Sequence, residues 1–163
     1  GVATKLRGTD LGMVERTVSS LIEPRHISPC TSRQAADIRI SHVAMNLGHL
    51  FGVQHGTAVR VKSAPIRSYQ IMVPLRGLLI SYAENSEMVA VPGAALVYSP
   101  QDSLNTYWSE DCVALVLSVP AERPVVRRAN QFDLALLVGP TGDLAPEGHQ
   151  LFHVVERKCH ARE

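Results

Sequence analysis

The sequence predicts a mainly β fold with flanking α: an antiparallel barrel or double-sheet jelly roll, with an N-terminal helix before it and C-terminal helices after it. Three observations carry this expectation. The apolar period is helical near both ends and two in the middle. Short β-branched runs separated by turn signals fill residues 36–120. Nothing between those runs is long enough for a crossover helix, so parallel βαβ units are excluded and an antiparallel roll, whose closure or stacking removes most exposed edges, remains.

The N-terminal helix is expected over residues 10–23. Leu11, Val14, Val18, Leu21 and Ile22 recur at helical spacing, and Asp10 stands where a side-chain oxygen caps the free N–H groups. Pro24 stops it, because its ring forbids the next backbone hydrogen bond. A breaker-rich connector holding Pro24 and Pro29 follows.

Then the period changes. Val59 and Val61 alternate with Arg60 and Lys62, while Tyr69, Ile71, Val73 and Leu75 alternate with Ser68, Gln70 and Met72. Strands with one buried face read this way, with the Tyr69 set as the apolar face. The runs Gly77–Tyr82, Met88–Val91, Ala94–Tyr98 and Val113–Val119 are divided by Glu84-Asn85-Ser86, Pro92-Gly93, Ser99-Pro100 and Glu110-Asp111, which makes eight or nine strands. Beyond Pro120 the pattern fades. Residues 121–131 suit a short helix, Phe132–Val138 is an apolar strip ending at Gly139-Pro140, and Leu151, Val154 and Val155 return to helical spacing. Residues 121–163 are therefore expected to be linking helices, with Leu151, Val154 and Val155 as the stripe for pairing two subunits. That stripe meets no Gly or Pro terminator, so the chain is expected to be a piece of a longer protein.

Composition narrows the function. At 163 residues, 45% hydrophobic and 19% charged, the chain fits one domain over 1–163 that folds in water. Cys30, Cys112 and Cys159 are odd in number and unpaired by spacing, which suits a reducing cytoplasm. No apolar stretch approaches the roughly 20 residues of a membrane helix. Basic and acidic residues number 6 and 4 in residues 1–41, 4 and 5 in 42–120, and 6 and 6 in 121–163. That even spread lacks the positive field DNA binding needs.

Catalytic motifs are thin. A metal-dependent cupin enzyme places two histidines one residue apart on a strand, then a carboxylate and a third histidine; no His-x-His occurs here, and Gly77–Tyr82 carries apolar and hydroxyl residues instead. His42, His49 and His55 cluster in sequence, with His49 and His55 in phase with Phe51 and Val53, yet no carboxylate accompanies them. His149 and His153 would share a helical face without a third ligand. No Gly-x-Ser-x-Gly elbow, phosphate loop or electropositive cysteine appears, and Cys112 reads as a buried thiol. Neither enzyme activity, nor metal, nor cofactor is expected.

A small-molecule pocket is the remaining chemistry. Small barrels enclose a ligand when some inward positions are polar or aromatic. Most of the aromatic residues, Tyr69, Tyr82, Tyr98, Tyr107 and Trp108, fall in the strand region, although aromatics with bonded polar tips also fill ordinary cores. The pocket candidates are Tyr69, Tyr82, Tyr98 and Trp108, with Arg60 and His55 as polar members. An inward Arg60 or Arg76 would recruit a carboxylate or phosphate; an outward one is a solvated edge charge.

The order of the pieces is informative. Leu47-Gly48-His49-Leu50-Phe51-Gly52 leads to Val59-Arg60-Val61, then to Tyr69 through Gly77, to Val91-Pro92-Gly93-Ala94 through Pro100, and to Trp108-Ser109-Glu110-Asp111-Cys112 before Val113–Pro120. This order resembles the N-terminal domain of AraC-family transcriptional regulators, the AraC-binding-like, cupin-type domain, and Phe132 through Gly142 with the helix from His149 is similar to its linking segment. The likeness runs over about residues 35–158. It implies a cupin-like barrel (double-stranded β-helix) that binds a small-molecule effector, adjoining helices that form a homodimer, and helix-turn-helix units, absent from this chain, that bind promoter DNA. The alternative is a small cupin enzyme acting on a sugar or keto acid.

Overall fold

A computed structural model describes residues 4–31 and 36–122. In chain order these form β1 (Thr4–Gly8), α1 (Leu11–Leu21), β2 (His26–Pro29), β3 (Ile38–Met45), β4 (Gly48–Gln54), β5 (Val59–Pro65), β6 (Ser68–Arg76), β7 (Leu79–Ala83), β8 (Ser86–Ala90), β9 (Leu96–Tyr98), β10 (Ser103–Trp108) and β11 (Val113–Pro120). The Asp10 carboxylate accepts the Gly12 N–H at 2.9 Å, which satisfies one of the free donors at the start of α1. At the other end the Ile22 N–H reaches the Val18 carbonyl at 3.0 Å, and Pro24 lies two residues on.

The strands form two antiparallel sheets. One has the order β1-β3-β4-β11-β6-β9 and the other β2-β5-β10-β7-β8. Ile38, Phe51, Met72 and Val116 of the larger sheet meet Val59, Leu79, Leu104 and Trp108 of the smaller in one core. Tyr98 on β9 donates a 2.6 Å hydrogen bond to the Ser81 hydroxyl on β7, joining the sheets through their side chains. α1 packs against β2 and β3, and its Val14 and Val18 enter the same core.

Three expectations change. Residues 4–8 form a strand on β3, and residues 26–29, read as a connector, form a strand on β5. β2 lies at the edge of its sheet, where a proline at the strand end removes no needed donor. The facing of β6 is also reversed. Its pairing with β11 sets Gln70 beside Ser118, Met72 beside Val116 and Pro74 beside Ala114, and these residues turn to the interior, Gln70 and Met72 at 0% and 1% exposure. Hydropathy favours the Tyr69, Ile71, Val73 face, but register decides facing, and Gln70 is tolerated inside because its amide is bonded. α1 is the single helix among the described residues; the helices expected in 121–163 fall, from residue 123 on, outside them.

Gly48 opens β4 at φ +153, where an added Cβ would run into the Ser118 carbonyl oxygen of β11. Gly48→Ala is expected to cost about 2 kcal/mol by overpacking and backbone strain, read as a lower urea midpoint. An unchanged midpoint would contradict the close approach of β4 and β11.

Candidate functional site

The turn after α1 carries a charge into the core. Ile27 of β2 takes its N–H to the Glu15 carboxylate at 2.8 Å, and the Arg25 N–H bonds the Ser19 hydroxyl at 3.2 Å, so helix and strand hold the intervening segment against the sheets. Arg25 is thereby 9% exposed. Its guanidinium donates to the Glu23 carbonyl at 3.3 and 3.4 Å and to the Gln70 side-chain oxygen at 3.3 Å, all long contacts to neutral acceptors. Burial pushes its pKa down to about 10, with the Glu23 charge pulling the other way. The drop from 12.5 corresponds to about 3 kcal/mol lost from folding at neutral pH, where the group is charged in both folded and unfolded chains.

The Glu23 carboxylate is engaged elsewhere. It accepts the Arg67 N–H at 2.8 Å, the Ser68 hydroxyl at 3.0 Å and the Gln70 amide at 3.1 Å. Burial raises its pKa, but its own and the Arg67 backbone N–H, the Ser68 hydroxyl and the Arg25 charge together bring it below the ordinary value. Ser118 on β11 extends this chain of partners, donating to the Ser68 hydroxyl at 3.1 Å.

A second polar group, His55, lies just past β4 at 3% exposure, edge-on to the Trp108 ring with centroids 4.8 Å apart. Burial lowers its pKa to about 4, so it is neutral at pH 7. Among the described residues its Nδ1 has no hydrogen-bond partner, and neither has the buried Thr57 hydroxyl. Arg25 and His55 line one interior cavity of about 20 Å³, whose other walls are apolar and include Val14 and Val18 of α1. Such a volume admits about one water.

A histidine pair stands on the same interior face of the larger sheet. His42 Nε2 and His49 Nδ1 are 2.9 Å apart, and both rings stack with Phe51. Burial and the neighbouring His49 lower the His42 pKa. Among the described residues no three His, Cys, Asp or Glu side chains come together as metal ligands.

The structure divides the sequence-predicted pocket residues. Tyr98, Trp108 and His55 are interior, and Trp108 also bonds Thr106 at 3.3 Å through its ring nitrogen. Tyr69, Tyr82 and Arg60 are not. Tyr69 alternates with the inward Ser68 and Gln70, so it takes the outer face of the larger sheet. Arg60 lies between the inward Val59 and Val61, and its guanidinium stacks 4.4 Å over Tyr82 and donates to Asn105 at 3.2 Å on the outer face of the smaller sheet. Tyr82 and Tyr98 also border an open surface cleft of about 890 Å³. Arg76 bonds the Asp111 carbonyl at 3.0 Å and is exposed. Leu151, Val154 and Val155 lie outside the described residues. The sequence reading passed over Glu23, Arg25 and Gln70; period two in His26, Ile27 and Ser28 was the signal that a strand, and hence an anchored Arg25, followed α1.

A two-sheet antiparallel roll with a polar pair inside an apolar interior is the build of a compact binding domain. Residues 14–156 match the AraC-binding-like domain, and the chain belongs to that family. In fold it is similar to the AraC-like transcriptional activator CuxR, at 14% identity and a TM-score of 0.60, over 78% of this chain and 51% of that one. The chain thus spans about half the length of that activator. A cupin-like protein from Thermotoga maritima (13% identity, TM-score 0.39, 56% of this chain and 77% of that one) and KdgF from Halomonas (20%, 0.37, 55% and 83%) are more distant in structure. No curated protein sequence matches the chain.

His55 sets a pH dependence of stability. Its folded pKa, about 4, lies below the unfolded value of 6.5, so the unfolded chain binds the proton first. Stability from this group is full above pH 6.5 and falls between pH 6.5 and 4, by about 3 kcal/mol. Denaturation across that window should show the slope, and His55→Leu should flatten it. Parallel profiles for the two proteins would contradict a buried neutral imidazole.

Proposed function

We propose that the chain is the effector-sensing and dimerisation domain of an AraC-like transcription regulator of the cytoplasm. In this reading it catalyses no reaction, and promoter DNA is bound by helix-turn-helix units outside these residues. Family membership supports the regulatory context. The observation that carries the sensing role is the interior itself: Arg25 and His55 are the polar residues lining a cavity that is otherwise apolar, with α1 forming one wall. Replacing such groups by apolar side chains would stabilise a domain whose interior served only as a core.

Signalling requires unequal affinity for two arrangements. In the structure Val14 and Val18 fill the interior, so an effector must displace them, and a moved α1 repositions the β1 and β2 strands joined to it. The stripe Leu151, Val154 and Val155 pairs two copies.

Two measurements test the reading. Sedimentation at micromolar concentration should give a dimer, and Val155→Asp a monomer; a monomeric wild type would overturn the dimerisation role. A thermal-shift screen of small carboxylates, sugars and aromatics should find at least one class that raises Tm by about 5–10 °C at a hundredfold excess over Kd. A flat screen would overturn sensing, and a stoichiometric metal with turnover of a sugar or keto acid would make the chain an enzyme.

A further inference from the structure

We propose that the interior takes a small monocarboxylate with an apolar body, its carboxylate held by Arg25; this rests on the sensing reading above and names the ligand class. A guanidinium offers five N–H donors in a planar fork that matches a carboxylate with two parallel bonds. Arg25 uses them on contacts of 3.3–3.4 Å to two neutral oxygens, and no carboxylate oxygen lies within 4.0 Å of it among the described residues. Glu23 is the natural counter-ion by position, but its oxygens are committed to Arg67, Ser68 and Gln70. The guanidinium is therefore buried with no direct carboxylate contact among the described residues, Glu23 acting on it only from a distance.

The charge count selects a monoanion. Arg25 is the only buried lysine or arginine among the described residues, and His55 beside Trp108 is neutral. With the Glu23 carboxylate already near Arg25, each further negative charge adds repulsion in a low-dielectric interior, so a dianion such as a phosphate monoester is disfavoured against a monocarboxylate.

The remaining walls select the body. Val14, Ile27, Phe51, Met72 and Trp108 offer apolar surface. At about 20 Å³ the present cavity cannot hold an organic acid, so the acid must take the place of the Val14 and Val18 side chains, and only an apolar body replaces the contacts they lose. The buried Nδ1 of His55, without a partner among the described residues, is a second polar atom of this interior left without a hydrogen bond. A hydroxyl on the ligand would satisfy it in either tautomer.

Calorimetry on the whole chain tests this with phenylacetate and 4-methylvalerate against phenylacetamide, 4-methylvaleramide and phenyl phosphate. Trp108 is the sole tryptophan, so its emission reports entry to the interior. The acids should bind one per chain and shift that emission, with the amides and the phosphate at least about tenfold weaker. Arg25→Gln should abolish the preference for acid over amide, and Arg25→Lys should keep it. Should Arg25→Gln fail to fold, the acid-to-amide ratio in the wild type decides alone. Amides equal to acids, or a preference that survives Arg25→Gln, overturn the carboxylate assignment and leave the sensing role intact. Acids that do not bind while sugars or neutral aromatics shift Tm have the same consequence; silence from every class overturns both.

Discussion

A positive charge held inside an apolar space organises one end of this domain. Arg25 reaches the interior because the turn between α1 and β2 is pinned on both sides, by Ser19 and Glu15 of the helix. Once there, it dictates the neighbours. Gln70 turns inward on β6 with its oxygen to Arg25 and its amide to Glu23, and Ser68 and Ser118 carry the hydrogen bonds to β11. A buried network is stable only when its members are satisfied, and this one is satisfied except at the guanidinium, whose contacts are long and uncharged.

α1 walls the cavity that Arg25 lines, through Val14 and Val18. It buries Val14 and Val18 in the core, together about 3–6 kcal/mol by their size, and rests Leu11, Met13 and Leu21 half-buried against it. Among the described elements α1 packs chiefly on β2 and β3, whereas β11 is hydrogen-bonded along both of its edges. The strands beneath pair over long registers, β11 with both β4 and β6, and resist opening. Movement therefore concentrates at the N-terminal side of the roll, where the interior charge also lies.

Much of the fold was legible because its signals are local. Asp10, the spacing of Leu11, Val14 and Val18, and Pro24 specify α1 without help from elsewhere, and the runs between 36 and 120 announce strands by alternation and turns. β1 and β2 escaped notice because Thr4–Gly8 is short and largely exposed and because Pro24 and Pro29 mask the period of Ile27 and its neighbours. The site was half visible for the same reason. Tyr98, Trp108 and His55 are interior, whereas the facing of β6 depends on its register with β11, a tertiary fact that hydropathy alone does not carry. Arg60 and Tyr82 satisfy each other on the outer surface, and Arg25, the charge that matters inside, sits in the turn just before the strand the prolines concealed.

Native-state hydrogen exchange, resolved by residue, examines most directly the claim that α1 is a movable cover over a buried charge. The amides of residues 14–21 should exchange through an opening of lower free energy and weaker denaturant dependence than those of Met72 and Val116 in the sheet. Equal free energies and equal denaturant dependence for helix and sheet would mean that α1 leaves only when the whole domain unfolds, and the account would fail.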